Sequence, residues 1–294
     1  MGITIARFLI FILAVAFGFC ILVLPIIILT IKIMNGGIIA AFHLPPLASS
    51  HGHEIDFMIY IVHVLMGALF IGWGIFFIFS LVRFNKWNNP KADYIGVRSH
   101  TSTSIEIAVA VIETVLLVGF SIPFWAKQVN ALPDRPDAIE IKVVAQQFAW
   151  NIHYPGPDGK FGKTSLQFFD AQSNPLGLDP ADPDGKDDVI TSNQMHLPVG
   201  RPVIIHLTSK DVMHSFSLSE MRVKQDIIPG MSIPTWFTPT KTGKYEIACA
   251  QLCGNSHYRM KGYLTVESPE AFDQWIAEQS KSSSEQGGED DFWN

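Results

Sequence analysis

Hydrophobic and polar positions divide the chain into two textures that change near residue 130. Phe8 to Ile31 runs 24 residues without a charged side chain, and Phe57 to Val82 runs another 26. A third apolar stretch, Ile107 to Ala126, is interrupted only by Glu113. As helices rising ~1.5 Å per residue, all three reach or exceed the ~30 Å hydrocarbon core of a bilayer. The apolar core of a cleavable signal peptide is shorter, roughly 7 to 15 residues, so Phe8 to Ile31 reads as a retained helix and the pattern predicts three membrane spans. Beyond Leu132-Pro133 the runs shorten and alternate, as in Ile139, Ile141 and Val143, then Val203 and Ile205, Tyr245 and Ile247, Tyr263 and Thr265. That is strand periodicity, punctuated by Pro155-Gly156, Asp158-Gly159, Asp184-Gly185, Pro229-Gly230 and Thr242-Gly243. The expected fold class is a membrane-anchored all-β protein: N-terminal transmembrane helices, then an antiparallel sandwich or Greek-key barrel of roughly 130 residues.

The expected boundaries follow the same pattern. Residues 1–34 hold an extra N-terminal helix, 57–126 a two-helix transmembrane hairpin, and 132–268 the β domain. Residues 269–294 begin as a short helix, with Ser268 as N-cap, Pro269 in the first turn and Phe272, Trp275 and Ile276 on one side. From Lys281 onward the Ser, Gly and acidic residues predict a disordered tail. Asp179 to Asp188 reads as a solvated acidic loop.

Composition agrees with membrane insertion. Charged residues make up 16% of the 294, against roughly 25% in an average soluble chain, and the mean hydropathy is +0.24. Through Ala126 there are 6 Lys/Arg and 5 Asp/Glu, net +1; after it there are 15 and 22, net −7. An acidic outer half excludes nucleic-acid binding, which needs a basic surface. The loop with Arg83, Lys86, Lys91 and Arg98 is basic, whereas Asn35 to Asp56 has no Lys or Arg. The positive-inside rule places the basic loop in the cytoplasm and everything after Ala126 outside. In a bacterium that is the inner (plasma) membrane, with the β domain in the periplasm. Glu106 and Glu113 stand seven residues apart, on one face of the third span. A charge at mid-span costs about 2.5 to 3.5 kcal/mol, so this face implies a partner membrane subunit. Glu113 reads either as part of a proton path or as a protonated carboxyl at a helix interface.

Candidate chemistry concentrates in Cys249-Ala250-Gln251-Leu252-Cys253-Gly254-Asn255-Ser256-His257-Tyr258-Arg259-Met260, with His214 placed 35 residues upstream of Cys249. Thiolate, imidazole and thioether together suit copper; zinc rarely recruits Met, and calcium or magnesium needs oxygen. One Cys, two His and a weak axial Met make the blue-copper set on a β-sandwich. A second Cys on the same loop lets two sulfurs bridge two copper ions, with His214 and His257 as terminal ligands, and Met260 and the Gln251 carbonyl as weak axial donors. The competing reading is a Cys249 to Cys253 disulfide in an oxidising compartment. Cys20 reads as a small buried hydrophobe, His51 and His53 as a solvated pair, and His153, His196 and His206 as sheet residues.

On these residues the chain resembles subunit II of haem-copper cytochrome c oxidases, whose binuclear copper site is called CuA. The resemblance covers nearly all of Phe57 to Glu267: the two-helix anchor, Ser99-His100 to Glu106, the stretch Val223 to Gly230, and the full copper loop. It implies a cupredoxin domain that takes electrons from a c-type cytochrome and passes them to haem in subunit I, where oxygen is reduced to water and protons are pumped. Subunit I, with its haems and CuB, and subunit III are the implied membrane partners. By the same resemblance Glu106 lies at the cytoplasmic mouth of a proton-uptake channel, and Arg222, Lys224 and Asp226 face subunit I. The net −7 suits a basic cytochrome. Where the family usually has Glu between the cysteines, its carboxylate binding an interfacial magnesium, this chain has Gln251, a weaker ligand for a hard cation. Where the family usually has Gln-Trp-Tyr-Trp, this chain has Gln147-Phe148-Ala149-Trp150, which places Phe148 and Trp150 at the expected point of electron input and removes the first indole. The extra helix and the altered aromatic string resemble oxidases that work beside an alternative complex III.

Other readings share the copper set. A CuA-containing nitric oxide reductase subunit differs by its haem partner. Nitrous oxide reductase places a large propeller ahead of the copper domain, and quinol oxidases lose the ligands kept here. A membrane-tethered copper-binding module would favour exposed, exchangeable Met and His.

Overall fold

The computed structural model describes residues 44–91, 95–96, 99–130, 132–133, 137–171 and 173–286, with backbone alone for 282–286. The expected first span, Phe8 to Ile31, lies outside the described residues, as do Arg98 and residues 287–294. The chain divides into a helical unit that includes Glu54–Gln128 and a β unit that joins Pro45–His53 to Val129–Asn294.

In the helical unit, α1 (Gly52–Arg83) and α2 (Thr101–Asn130) are 32 and 30 residues long and apolar enough to cross a membrane. Phe70, Trp73, Ile75, Phe76, Phe77 and Phe79 of α1 are all exposed; a helix that is apolar all round is suited to lipid or partner helices rather than to one side of a soluble core. In α2 a π-helical turn, Leu117–Ser121, begins four residues after Glu113. Lys127 near the end of α2 pairs with Glu54 of α1 at 2.7 Å.

The β unit is a sandwich of two five-stranded sheets. One has the order β3-β2-β1-β5-β8, from β1 (Ile139–Gln146), β2 (Ala149–Tyr154), β3 (Val189–Ser192), β5 (Val203–Ser209) and β8 (Ile233–Phe237). The other has the order β4-β10-β9-β6-β7, from β4 (Gln194–Pro198), β6 (His214–Leu218), β7 (Val223–Ile227), β9 (Gly243–Cys249) and β10 (Lys261–Glu267). Alternation does what the period predicts: Ile141, Val143 and Ala145 of β1 and Leu264 and Val266 of β10 point inward to a core with Trp150, Leu207 and Phe216. The expected all-antiparallel pairing is corrected at two places, where β1 pairs with β5 and β4 with β10 in parallel. Period-two alternation reports which face is buried and carries no information on strand direction; parallel neighbours need only a crossover, which the intervening strands supply.

Two further differences concern the segments between strands. Pro45–His53 is part of the β unit: Ala48 N–H donates to the Glu220 carbonyl, Ser49 Oγ to the Met221 carbonyl, and Arg222 Nη2 to the Pro45 carbonyl. His51 is accordingly buried, its ring 6.1 Å from that of Trp236, not solvated as its setting suggested. A Cβ at Gly52 would lie 2.2 Å from Leu47 Cδ1 and 2.9 Å from Arg222 Cγ and Ser49 Oγ, so these side chains would have to shift to admit one. In the acidic segment, Asp182 and Asp188 are buried rather than solvated. Asp188 Oδ2 accepts from His153 Nε2 at 2.6 Å and from Gly162 N–H at 2.8 Å, and Asp182 accepts from Lys163 N–H; buried carboxylates that collect such donors organise a loop instead of merely hydrating it. Finally, α3 (Pro269–Gln286) stacks Trp275 on His196 at 4.2 Å and continues to Gln286, past Lys281 where the composition predicted a tail.

Candidate metal centre

Strand pairing brings the copper-type residues together. Phe216 of β6 lies opposite Cys249 of β9, which sets His214, two residues earlier on β6, beside the end of β9. After Cys249 the chain leaves the sheet, closes a single 3-10 turn at His257–Arg259, and returns as β10, so Met260 arrives back under the loop. Cys249 N–H donates to the Met260 carbonyl and Ala250 N–H to the Ser215 carbonyl, tying both ends of the loop to the sheet.

The side chains converge within this frame. Cys249 Sγ and Cys253 Sγ are 3.8 Å apart, far beyond the ~2.05 Å of a disulfide, and both are free thiols. His214 Nδ1 is 3.8 Å from Cys249 Sγ, and His257 Nδ1 is 3.6 Å from Cys253 Sγ. Met260 Sδ lies 3.7 Å from Cys253 Sγ, and the Gln251 carbonyl oxygen 3.2 Å from Cys249 Sγ. Each sulfur therefore has one imidazole nitrogen and one weak donor beside it. Among the described residues, His214, Cys249 and Cys253 form the group of ligand atoms close enough to share a metal ion. His214, Cys253 and Met260 are buried. The soft donor set fits copper: two thiols, two imidazoles and a thioether leave little for a hard cation.

Electrostatics prepare one sulfur of the pair. Burial pushes the Cys249 thiol up, but hydrogen bonds from His214 and from the backbone near Ser215 and Gln251 outweigh it and bring the pKa down to about 6. Cys253 is raised to about 11 by burial and by the neighbouring Cys249 charge. One thiolate thus forms readily, and the second proton leaves only when a cation takes its place.

Around the donors the structure adds a residue the sequence did not announce. Asp211, three residues before His214, accepts from His214 Nε2 at 2.9 Å. Burial raises its pKa, but hydrogen bonds from Gln147 N–H, His214 and Val212 N–H prevail and hold it below the ordinary carboxylate value. Gln147 also donates from Nε2 to the Cys253 carbonyl at 2.6 Å. Gly254 has φ +138°, and a Cβ there would sit 2.8 Å from Gln147 Nε2 and 3.0 Å from Phe148 Cζ, so the β1–β2 turn rests directly on the copper-type loop. An acid three positions before a ligand histidine was the available signal for Asp211.

The remaining expected residues fall elsewhere. Trp150 is fully buried, its ring 6.2 Å from His214 and 5.6 Å from Phe216, both edge-on. A docking protein therefore has no surface of Trp150 to touch directly. Phe148 is half-buried against the core. Asp226 lies on the exposed side of β7 opposite Ser215, whose hydroxyl, with Lys224, holds its carboxyl below the usual range. Lys224 Nζ reaches Asp226 Oδ1 at 3.0 Å. The Arg222 guanidinium is engaged by its own chain, at the Ser219 and Pro45 carbonyls. Glu106 belongs to the helical unit and accepts from Ser102 Oγ at 2.8 Å.

Comparison with known proteins gives a consistent set of relatives. The family described as cytochrome C oxidase subunit II, periplasmic domain, matches residues 139–267. The alternative cytochrome c oxidase subunit 2 of Bradyrhizobium diazoefficiens is 32% identical over 236 residues, covering 80% of this chain and 83% of its relative. The probable cytochrome c oxidase subunit 2 of Rickettsia felis is 30% identical over 240 residues, covering 81% and 70%. Among solved structures, the periplasmic domain of subunit II of cytochrome oxidase of Bradyrhizobium japonicum is 30% identical and covers 52% of this chain and 99% of that chain, with a TM-score of 0.38.

Proposed function

As the chain belongs to the cytochrome c oxidase subunit II family, we propose that its β unit is the binuclear copper domain through which an oxidase receives electrons from a c-type cytochrome. The observation that carries this reading is the convergence of four donors, His214 and His257 nitrogens, the Met260 sulfur and the Gln251 carbonyl, on the Cys249 and Cys253 sulfurs at 3.2 to 3.8 Å. Cys249, Cys253, His214, His257, Met260 and the Gln251 carbonyl would together hold a pair of copper ions. When bound, the pair of ions supplies a site that gains and loses a single electron with little change in geometry.

The chain's own residues then do three things. The sheet-anchored loop fixes the donors before metal arrives, so little reorganises when an electron comes or goes. Burial of His214, Cys253 and Met260 keeps water from that side of the site, while Cys249 is half-buried. Val212, Met213, Leu252 and Tyr258, on the two loops that carry the ligands, are exposed and form an apolar rim on which a donor's haem edge can rest. Electron input is assigned to this rim and to Phe148 beside it, with Trp150 as the floor beneath His214.

The rest of the assembly follows the family. Helices α1 and α2 anchor the chain beside subunits I and III in a bacterial inner membrane, with the β unit in the periplasm. Glu106 feeds protons toward subunit I, which reduces oxygen and pumps. Lys224 and Asp226 face subunit I, with Arg222 securing the loop behind them. No magnesium is proposed at Gln251, whose amide lacks the charge a hard cation needs. The donor is a free cytochrome or one carried by an alternative complex III. Purification of the intact oxidase tests the reading: two coppers per copy of this chain and oxygen-dependent oxidation of a reduced c-type cytochrome are expected. One copper or none, or a haem partner that reduces nitric oxide instead of oxygen, would overturn it.

A further inference from the structure

His214 and His257 are chemically alike but differently held. The His214 ring is fully buried and Asp211 is 30% exposed, so their 2.9 Å bond sits at the boundary between core and solvent. Asp211 Oδ1 also accepts from Val212 N–H at 2.7 Å and from Ser209 Oγ at 3.3 Å, and Oδ2 accepts from Gln147 N–H at 2.6 Å. With both oxygens engaged, the carboxylate cannot rotate away from the ring. Among the described residues His257, on its short 3-10 turn, has no carboxylate partner.

We propose that Asp211 is a positioning residue for the metal centre: it holds the proton of His214 on Nε2, leaves Nδ1 free beside Cys249 Sγ, and makes the His214 half of the centre a stronger donor than the His257 half. The inference rests on the copper reading above. A carboxylate on the outer nitrogen of a ligand histidine fixes its tautomer and raises the basicity of the inner one. A more basic Nδ1 stabilises the more oxidised metal, so Asp211 lowers the reduction potential. Through Gln147, whose N–H it binds and whose Nε2 binds the Cys253 carbonyl, the same carboxylate also couples the His214 loop to the cysteine loop.

The test compares three variants of the full-length chain in detergent, loaded with copper. Asp211→Asn keeps an oxygen for His214 but removes the charge. Asp211→Ala removes both. Gln147→Ala breaks the bond to the Cys253 carbonyl and leaves the Asp211 to His214 bond intact. The expected result is a rise in reduction potential in Asp211→Asn and a larger one in Asp211→Ala, with copper lost to a chelator on the order of 10- to 100-fold faster. The two ligand-nitrogen hyperfine couplings should be unequal in the wild type and converge in Asp211→Ala, while Gln147→Ala keeps the wild-type potential. An unchanged potential in both Asp211 variants, or the same shift in Gln147→Ala, overturns the proposal. If the wild type binds a single copper, the binuclear reading fails, yet the potential of Asp211→Asn against wild type still decides the role of Asp211.

Discussion

Trp150→Phe separates a packing role from an electron-transfer role at the centre of the β unit. The indole has no exposed surface, contacts His214 and Phe216 edge-on, and lies with Cδ1 close over Gly262, where an added Cβ would be 3.2 Å away. A phenyl ring fills most of that space and leaves a void of roughly 40 Å³, which at ~24 cal/mol per Å³ costs about 1 kcal/mol, with a similar amount for the lost apolar transfer. Against this, Trp150 Nε1 is buried without a hydrogen-bond partner among the described residues, and removing it relieves a desolvation cost of about 1 kcal/mol or more. The net loss is about 1 kcal/mol, or roughly 2 to 4 °C in thermal midpoint for a unit of this size. Trp150→Ala, with nothing to refill the site, should cost about 3 to 5 kcal/mol and loosen His214. The assay pairs thermal unfolding with steady-state oxidation of a reduced c-type cytochrome by the intact oxidase. Trp150→Phe should turn over at the wild-type rate, because no donor reaches that ring. A tenfold slower turnover with the midpoint nearly unchanged would refute the assignment of electron input to the rim.

Other outcomes follow from the same geometry. In the metal-free protein Cys249 should alkylate with an apparent pKa of about 6 and Cys253 with one of about 11; the lowered value of Cys249 means that its thiolate appears as pH rises through 6, so of the Cys249 and Cys253 pair one thiol and not both should react with iodoacetamide at neutral pH, read by peptide mapping of each site. Two equal thiols titrating near the ordinary value would contradict the hydrogen bonding described. Gly254→Ala forces a side chain into a φ of +138° and against Gln147 Nε2, and should cost about 1 kcal/mol or more of strain with faster copper loss, read by chelator competition; wild-type retention would show that the turn and loop are not in close contact. Gly52→Ala, which meets Leu47 at 2.2 Å, should lower the midpoint of the β unit although it lies far from it in sequence, and an unchanged midpoint would argue against the clasp by Pro45–His53.

How much of this was legible in the sequence depended on whether the signal was local. The candidate ligands from Cys249 to Met260 fall within one loop, and soft donors at that spacing mark the candidate site without any tertiary information. His214 was found because its chemistry matched, but its neighbourhood depends on Phe216 facing Cys249 across two strands that are distant in sequence. Asp211 was missed for the same reason: an exposed acid and a ligand-orienting acid look alike until the ring beside it is known. Like charges from Asp179 to Asp188 suggested hydration, yet Asp182 and Asp188 are drawn inward by backbone N–H groups that no side-chain pattern reveals. Trp150 had no local signal for its burial: every residue of β2 from Trp150 to Tyr154 is buried, so alternation does not single out its face.

The most direct measurement is the electron paramagnetic resonance spectrum of the copper-loaded, full-length chain, taken together with its copper content. Two coppers per chain and a seven-line hyperfine pattern, from one unpaired electron shared over both ions, are the expected result. A four-line pattern from a single copper, or a silent sample whose Cys249 and Cys253 have closed into a disulfide, would contradict the binuclear electron-transfer centre.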